Sequence, residues 1–288
     1  MSAQASTAAE TGVESLEVTA ADGHRWQMPA VIPAQPRARL LWLPAMGVAA
    51  RHYVPFAQAL CARGIAVFIH DWRGNGSSSL RPSRAVDWGY RELLELDLPA
   101  AAAAMAARLE MDASILGGHS LGGQLGACFL GQNPGQARRF WLVASGAPYW
   151  RAFPPRTRWW LPLVYRFLPW LAARIGYLPG RRIGFGGNES RSLIRDWART
   201  ALSGRYAAAG MPADLEAGMA RLLVQARGVV LDRDWLAPTS SLRFLLSKLP
   251  HAQSHIRVLD GRALGALADH FTWMKHPGPV VSALLADD

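Results

Sequence analysis

The run Gly117-Gly118-His119-Ser120-Leu121-Gly122-Gly123 constrains this chain more than any other stretch. It stands between a strand-like apolar segment, Ala113 to Leu116, and a helix-like one, Gln124 to Leu130. A serine at the apex of a sharp strand-to-helix turn has a strained backbone, and Gly118 and Gly122 let the two segments pass without Cβ clashes. Such a nucleophile elbow leaves the hydroxyl exposed. The new helix also turns its first amides, that of Leu121 among them, toward the place where a substrate carbonyl oxygen would gain negative charge. The residues point to acyl chemistry at Ser120, against the plainer alternative of a glycine-rich turn with an idle serine.

At 288 residues the chain suits one α/β domain with an insertion better than two independent domains. Half of its residues are hydrophobic, which argues against general disorder. Residues 1–12 are small and polar, with neither a basic n-region nor an apolar h-region, so they read as a disordered N-terminal tail rather than a signal or transit peptide. The two cysteines, Cys61 and Cys128, lack metal-ligand spacing and read as small core hydrophobes in a reducing cytoplasm. No metal site and no cofactor is expected. The net charge of +10 is concentrated: residues 151–210 hold eleven arginines, no lysine and two acids, a net +9.

Glu14 to Thr19 and Arg25 to Ile32 predict a β-hairpin around Asp22-Gly23, and Arg39 to Leu43 the next strand. Tyr53 to Arg63 has helical spacing and stops at Gly64; Ile65 to Ile69 suits a buried parallel strand. Trp88 to Glu110 predicts a long helix, interrupted or kinked near Pro99. The elbow strand and helix follow, then a strand from Arg139 to Ala144. The alternation breaks over 149–227 and resumes with Gly228 to Leu231 (strand), Ser240 to Lys248 (helix), His255 to Leu259 (strand) and Pro279 to Leu285 (helix). The expectation is an α/β fold: a mostly parallel central sheet of about eight strands, helices on both faces. Its core is 13–148 with 228–288, and 149–227 is a helical, Arg- and Trp-rich cap.

A serine hydroxyl needs a base, and the base a group that orients it and stabilises its cation. Asp234 follows a predicted strand and opens the turn Asp234-Trp235-Leu236-Ala237-Pro238; His270 lies in the loop between the last predicted strand and the last helix. Rivals are Asp232, which also reads as a strand-end turn residue, and His276, whose place before Pro277 a helix-entry role explains. His251 and His255 come too early. A second oxyanion amide would come from the loop Leu43-Pro44-Ala45-Met46-Gly47, with Met46 N–H beside Leu121 N–H, unless Met46 is only a core plug.

Together these features resemble the α/β-hydrolase superfamily over most of the chain. Asp71-Trp72-Arg73-Gly74-Asn75-Gly76-Ser77-Ser78 is similar to its D-x-R-G-x-G-x-S segment, Asp234 to Pro238 to its D-x-x-x-P acid turn, and Asp269-His270-Phe271 to its G-H-F histidine loop. Ala45-Met46-Gly47, Arg51-His52-Tyr53 and Gly176-Tyr177-Leu178-Pro179-Gly180 resemble a bacterial subgroup of lipase-like or serine aminopeptidase-like predicted hydrolases. The resemblance implies the triad order Ser120, Asp234, His270. Two departures stand out: Pro44-Ala45 where the family usually has His-Gly, and Asp269 where it has Gly.

Trp159 to Ala172 is apolar apart from Arg166, yet fourteen residues with Pro162 and Pro169 inside are too few to span a bilayer. Two readings remain. It is a lid lining an acyl pocket with Trp159, Trp160, Phe167 and Trp170, or a segment lying on an anionic membrane surface. Arg156, Arg158, Arg174, Arg181 and Arg182 suit headgroups or an anionic substrate, and equally a solvated surface. No nucleic-acid module appears, and none is expected as a partner. The expected function is a serine hydrolase cleaving a small-molecule ester with an apolar acyl part. The alternatives are a peptidase or amidase, an acyltransferase, and a non-catalytic lipid- or membrane-surface-binding protein on a hydrolase scaffold.

Overall fold

Ile65–Ile69, five apolar residues in a row, is a strand buried along its whole length, as a parallel strand covered on both faces must be. The computed structural model describes residues 12–286, so the expected tail 1–12 lies outside the described residues except for Gly12. Its strands are β1 (Val13–Thr19), β2 (Arg25–Val31), β3 (Ala38–Leu43), β4 (Ile65–Ile69), β5 (Ser114–His119), β6 (Arg139–Val143), β7 (Tyr177–Pro179), β8 (Asn188–Ser190), β9 (Gln225–Leu231) and β10 (Gln253–Leu259). Eight form one sheet in the order β1-β2-β4-β3-β5-β6-β9-β10; β7 and β8 form a separate ribbon. From β4 to β10 every neighbouring pair in that order is parallel, while the β1–β2 hairpin joins the edge antiparallel. This is the α/β-hydrolase fold. Two apolar layers, one on each face of the sheet, make up the core.

Tyr90 to Arg108 is one helical run that widens into a π-turn over Leu93–Asp97, ahead of Pro99. The proline ring crowds the carbonyl four residues back and offers no N–H, and a wider turn accommodates both. The turn carries Asp97 fully inward, where it accepts two hydrogen bonds from Arg73, at 2.7 and 2.8 Å, and lies 3.0 Å from His24 Nδ1. Arg73 also donates to Asp22 at 2.7 and 3.0 Å. The segment beginning at Asp71 therefore bolts the first hairpin to the helical layer.

Between β6 and β9 run the helices Leu161–Ile175 and Arg191–Ser203, which pack on each other with Tyr165 edge-on to Trp197, ring centroids 5.1 Å apart. The end of the expected insertion is different. The helix Leu215–Ala220 packs on the elbow helix Leu121–Gln132, closely enough that a Cβ on Gly131 would lie 2.6 Å from Met219 N. Strand β9 then starts at Gln225, three residues before the expected Gly228.

The β7–β8 ribbon meets the loop after β3. A Cβ on Gly47 would lie 2.0 Å from Gly187 N, and Met46 abuts Gly186. Behind this contact Glu189 is 1% exposed. Burial pushes its pKa from 4.5 up to about 7, against the opposing pull of the Gly187 amide, which donates to it at 2.9 Å. The fold thus favours the protonated acid, so its contribution is present below about pH 4.5 and is lost as pH rises through about 7, a penalty on the order of 3 kcal/mol. Denaturant melts of wild type and Glu189→Gln should show the variant the more stable at pH 8 and lose that advantage at pH 5; a pH-independent difference would contradict the burial argument.

Candidate active site

Ser120 joins β5 to the elbow helix with φ 53° and ψ −117°, a conformation a serine adopts only when its surroundings enforce it. The enforcement is local. Its N–H donates to Val143 O at 3.3 Å, and its carbonyl accepts from Ser145 Oγ at 2.7 Å and from the amides of Gly123 and Gln124. A Cβ on Gly122 would sit 2.0 Å from Leu43 O, and one on Gly118 2.3 Å from Gly122 C. No side chain fits at either position, as the sequence argument requires.

Asp234 and His270 follow the ends of β9 and β10, neighbours in the sheet. Both are buried, and Asp234 Oδ2 lies 2.7 Å from His270 Nδ1. The other carboxylate oxygen accepts the amides of Leu236 and Ala237 at 2.9 and 3.0 Å, so the turn itself aims the acid. Asp269, the residue that replaces the family's glycine, accepts from the Phe271 and Thr272 amides at 2.9 and 2.7 Å and ties the histidine loop. The rivals lie elsewhere. Asp232 is only 3.9 Å from Arg233 Nε at the surface, His276 is exposed before the last helix, and His251 and His255 are exposed.

Ser120, His270, Met46 and Leu121 line one cavity of about 320 Å³ at the carboxyl ends of the strands. Among the described residues neither the Met46 nor the Leu121 amide hydrogen-bonds to another protein group. The loop that carries Met46 is braced where it departs from the family. Trp72 Nε1 donates to Pro44 O at 2.7 Å, and Ala45 N donates to Tyr53 Oη at 2.9 Å. Tyr53 Oη is in turn 2.8 Å from His119 Nδ1, beside the elbow serine. Burial holds Tyr53 protonated and, with His270 nearby, pushes the His119 pKa well down, so the phenol donates to a neutral imidazole. Sequence reasoning missed Tyr53 as a bridge between loop and elbow; its only signal was the segment Arg51-His52-Tyr53, to which no chemistry attached.

The four pocket aromatics separate. Trp160 lines the cavity, with Trp235 5.9 Å away across the mouth. Trp159, Phe167 and Trp170 do not line it: they point outward and are 73%, 50% and 52% exposed. Leu161, Tyr165, Leu168 and Ala172 form the buried stripe of their helix, so Leu163, Phe167 and Trp170, at the complementary spacing, face solvent. No arginine lines the cavity, so of the readings open for the cap arginines the geometry does not favour contact with an anionic substrate there. A larger groove, about 1180 Å³, opens at the opposite ends of the strands, lined by Asp112, Arg138, Gln225 and Gln253, far from the Asp234–His270 pair. Among the described residues no three His, Cys, Asp or Glu gather in a way that could hold a metal ion.

A family model described as serine aminopeptidase, S33, matches residues 34–206. No curated protein matches the chain. Among solved structures, DcsB in complex with its substrate analogue is similar at TM-score 0.64 and 13% identity, over 94% of this chain and 96% of that one. The thioesterase domain from the curacin biosynthetic pathway is similar at TM-score 0.60 and 14% identity, over 96% and 100%. The esterase domain of a Rhodothermus marinus protein is similar at 0.60 and 17%, over 95% and 96%. At these identities the likeness concerns the fold.

Proposed function

The chain belongs to the serine aminopeptidase S33 family of α/β-hydrolases and is a hydrolase, and from that premise we propose that it cleaves carboxylic esters with an apolar acyl group through an acyl-enzyme on Ser120. The observation that carries this reading is the hydrogen-bonded Asp234–His270 pair opening on the same cavity as a strained serine. In the proposed reaction Ser120 Oγ attacks the ester carbonyl while His270 Nε2 takes its proton. Asp234 holds Nδ1–H and stabilises the imidazolium. The amides of Met46 and Leu121 receive the oxyanion; His270 protonates the departing alcohol, and water then repeats the sequence on the acyl-enzyme.

An ester is favoured over a peptide N-terminus by the cavity wall. Phe153, Leu161, Val164, Phe185 and Leu236 are apolar, and no lining residue is acidic, so an α-ammonium group would be desolvated without a partner. Amide cleavage and acyl transfer use the same apparatus and remain the alternatives. Ser120→Ala should lower p-nitrophenyl ester turnover by about three orders of magnitude or more while leaving the melting curve in place; retained turnover would remove the assignment.

We propose further that the outer face of Leu161–Ile175 rests on an anionic lipid surface. No helix among the described residues is long and apolar enough to cross a membrane. Trp159, Leu163, Phe167 and Trp170 are exposed beside Arg156, Arg158, Arg166 and Arg174, and among the described residues no carboxylate pairs with these four arginines. Arg158 lies over Trp159 and Arg174 over Trp170, at 5.7 and 5.3 Å, which suits groups sharing a headgroup layer. The protein should co-sediment with phosphatidylglycerol vesicles at low salt, less so at high salt, and Trp159→Ala with Trp170→Ala should weaken it. Absence of co-sedimentation at low salt would eliminate this surface.

A further inference from the structure

Besides Ser120 and His270, Gln124 and Tyr165 bring polar groups to the largely apolar cavity. Gln124, one turn along the elbow helix from Ser120, is 5% exposed and lines the cavity, and its Oε1 is buried without a hydrogen-bond partner. Tyr165, on the inner face of Leu161–Ile175, is 4% exposed and lines the same cavity. Its ring is fixed edge-on against Trp197. A polar atom withdrawn from water as Gln124 Oε1 is remains destabilising unless something in the cavity meets it.

We infer that Gln124 and Tyr165 are specificity-determining residues that read a hydroxyl on the otherwise apolar acyl chain of the substrate. The inference rests on the serine-esterase reading above and names the substrate class within it. A hydroxyl fits this pair better than a charged group does. No carboxylate, ammonium or guanidinium side chain lines the cavity, so a charged group on the acyl chain would be buried without a counter-charge there. A hydroxyl both donates and accepts, the Tyr165 phenol does the same, and rotation of the Gln124 amide presents either its oxygen or its NH2. A plain alkyl chain would leave both side chains unmet once it had displaced water. That is the condition under which a site discriminates strongly for a substrate hydroxyl and against the analogue that lacks it.

The test compares p-nitrophenyl esters of one straight-chain acid and its hydroxylated counterparts of equal length, with the hydroxyl moved along the chain, in wild type, Gln124→Leu and Tyr165→Phe. Wild type should favour one hydroxyacyl ester over the alkyl ester by about tenfold or more in kcat/KM. That ratio should collapse toward one in both variants. A wild type without hydroxyl preference at any position, or a preference that neither variant reduces, would overturn the inference. Tyr165→Phe removes a single oxygen and keeps the ring contact, so it decides the matter if Gln124→Leu fails to fold. Turnover of every ester that is indifferent to Ser120→Ala would instead overturn the esterase reading and this inference with it.

Discussion

A serine with φ of 53° persists here because the chain around it has no other way to close. Gly118 and Gly122 let β5, the loop after β3 and the elbow helix approach to distances no Cβ would survive, while Val143, Ser145, Gly123 and Gln124 take up the hydrogen bonds of the strained peptide. Strain of this kind, on the order of 1–3 kcal/mol, is tolerated only where surrounding contacts over-determine it. The sheet order sets those contacts: β5 lies between β3 and β6, so the same turn faces the Met46 loop on one side and the ends of β6 and β9 on the other.

From that point the polar braces radiate outward. Tyr53 links the Ala45 amide to His119, and Trp72 holds the Pro44 carbonyl, so the loop proposed to bind the oxyanion is fixed from both sides despite lacking the family's usual His-Gly. The β7–β8 ribbon presses on the same loop through Gly47 and Gly187, with Glu189 buried behind. Displacement of the ribbon would therefore reach the proposed oxyanion site through backbone contact, without a flexible side chain between them.

Much of this was legible in the residues. Strand boundaries came close because buried parallel strands are short apolar runs between breakers; Asp234 stood out because it opens a turn just after such a run, and His270 because it lies in the loop between the last strand and the last helix. The misses share a cause, which is that a uniform composition hides direction. Trp159 to Ala172 is apolar apart from Arg166, so no clear hydrophobic stripe told the inner Leu161, Tyr165 and Leu168 from the outer Phe167 and Trp170. Asp97, inside the expected helix Trp88 to Glu110, carries no local sign of its inward position; the π-turn ahead of Pro99 brings it to Arg73. The helix Leu215–Ala220 has no local mark of belonging to the sheet layer, because its partner, Gly131, lies on the elbow helix far back in the chain.

The central claim is that Ser120 is the nucleophile, activated by His270 and Asp234. Its most direct test is to treat the folded protein with a fluorophosphonate and map the adduct by peptide mass spectrometry. The account predicts a single phosphonyl adduct, on the peptide carrying Ser120 and at Ser120 itself. No adduct in folded protein, or an adduct at another residue, would contradict it.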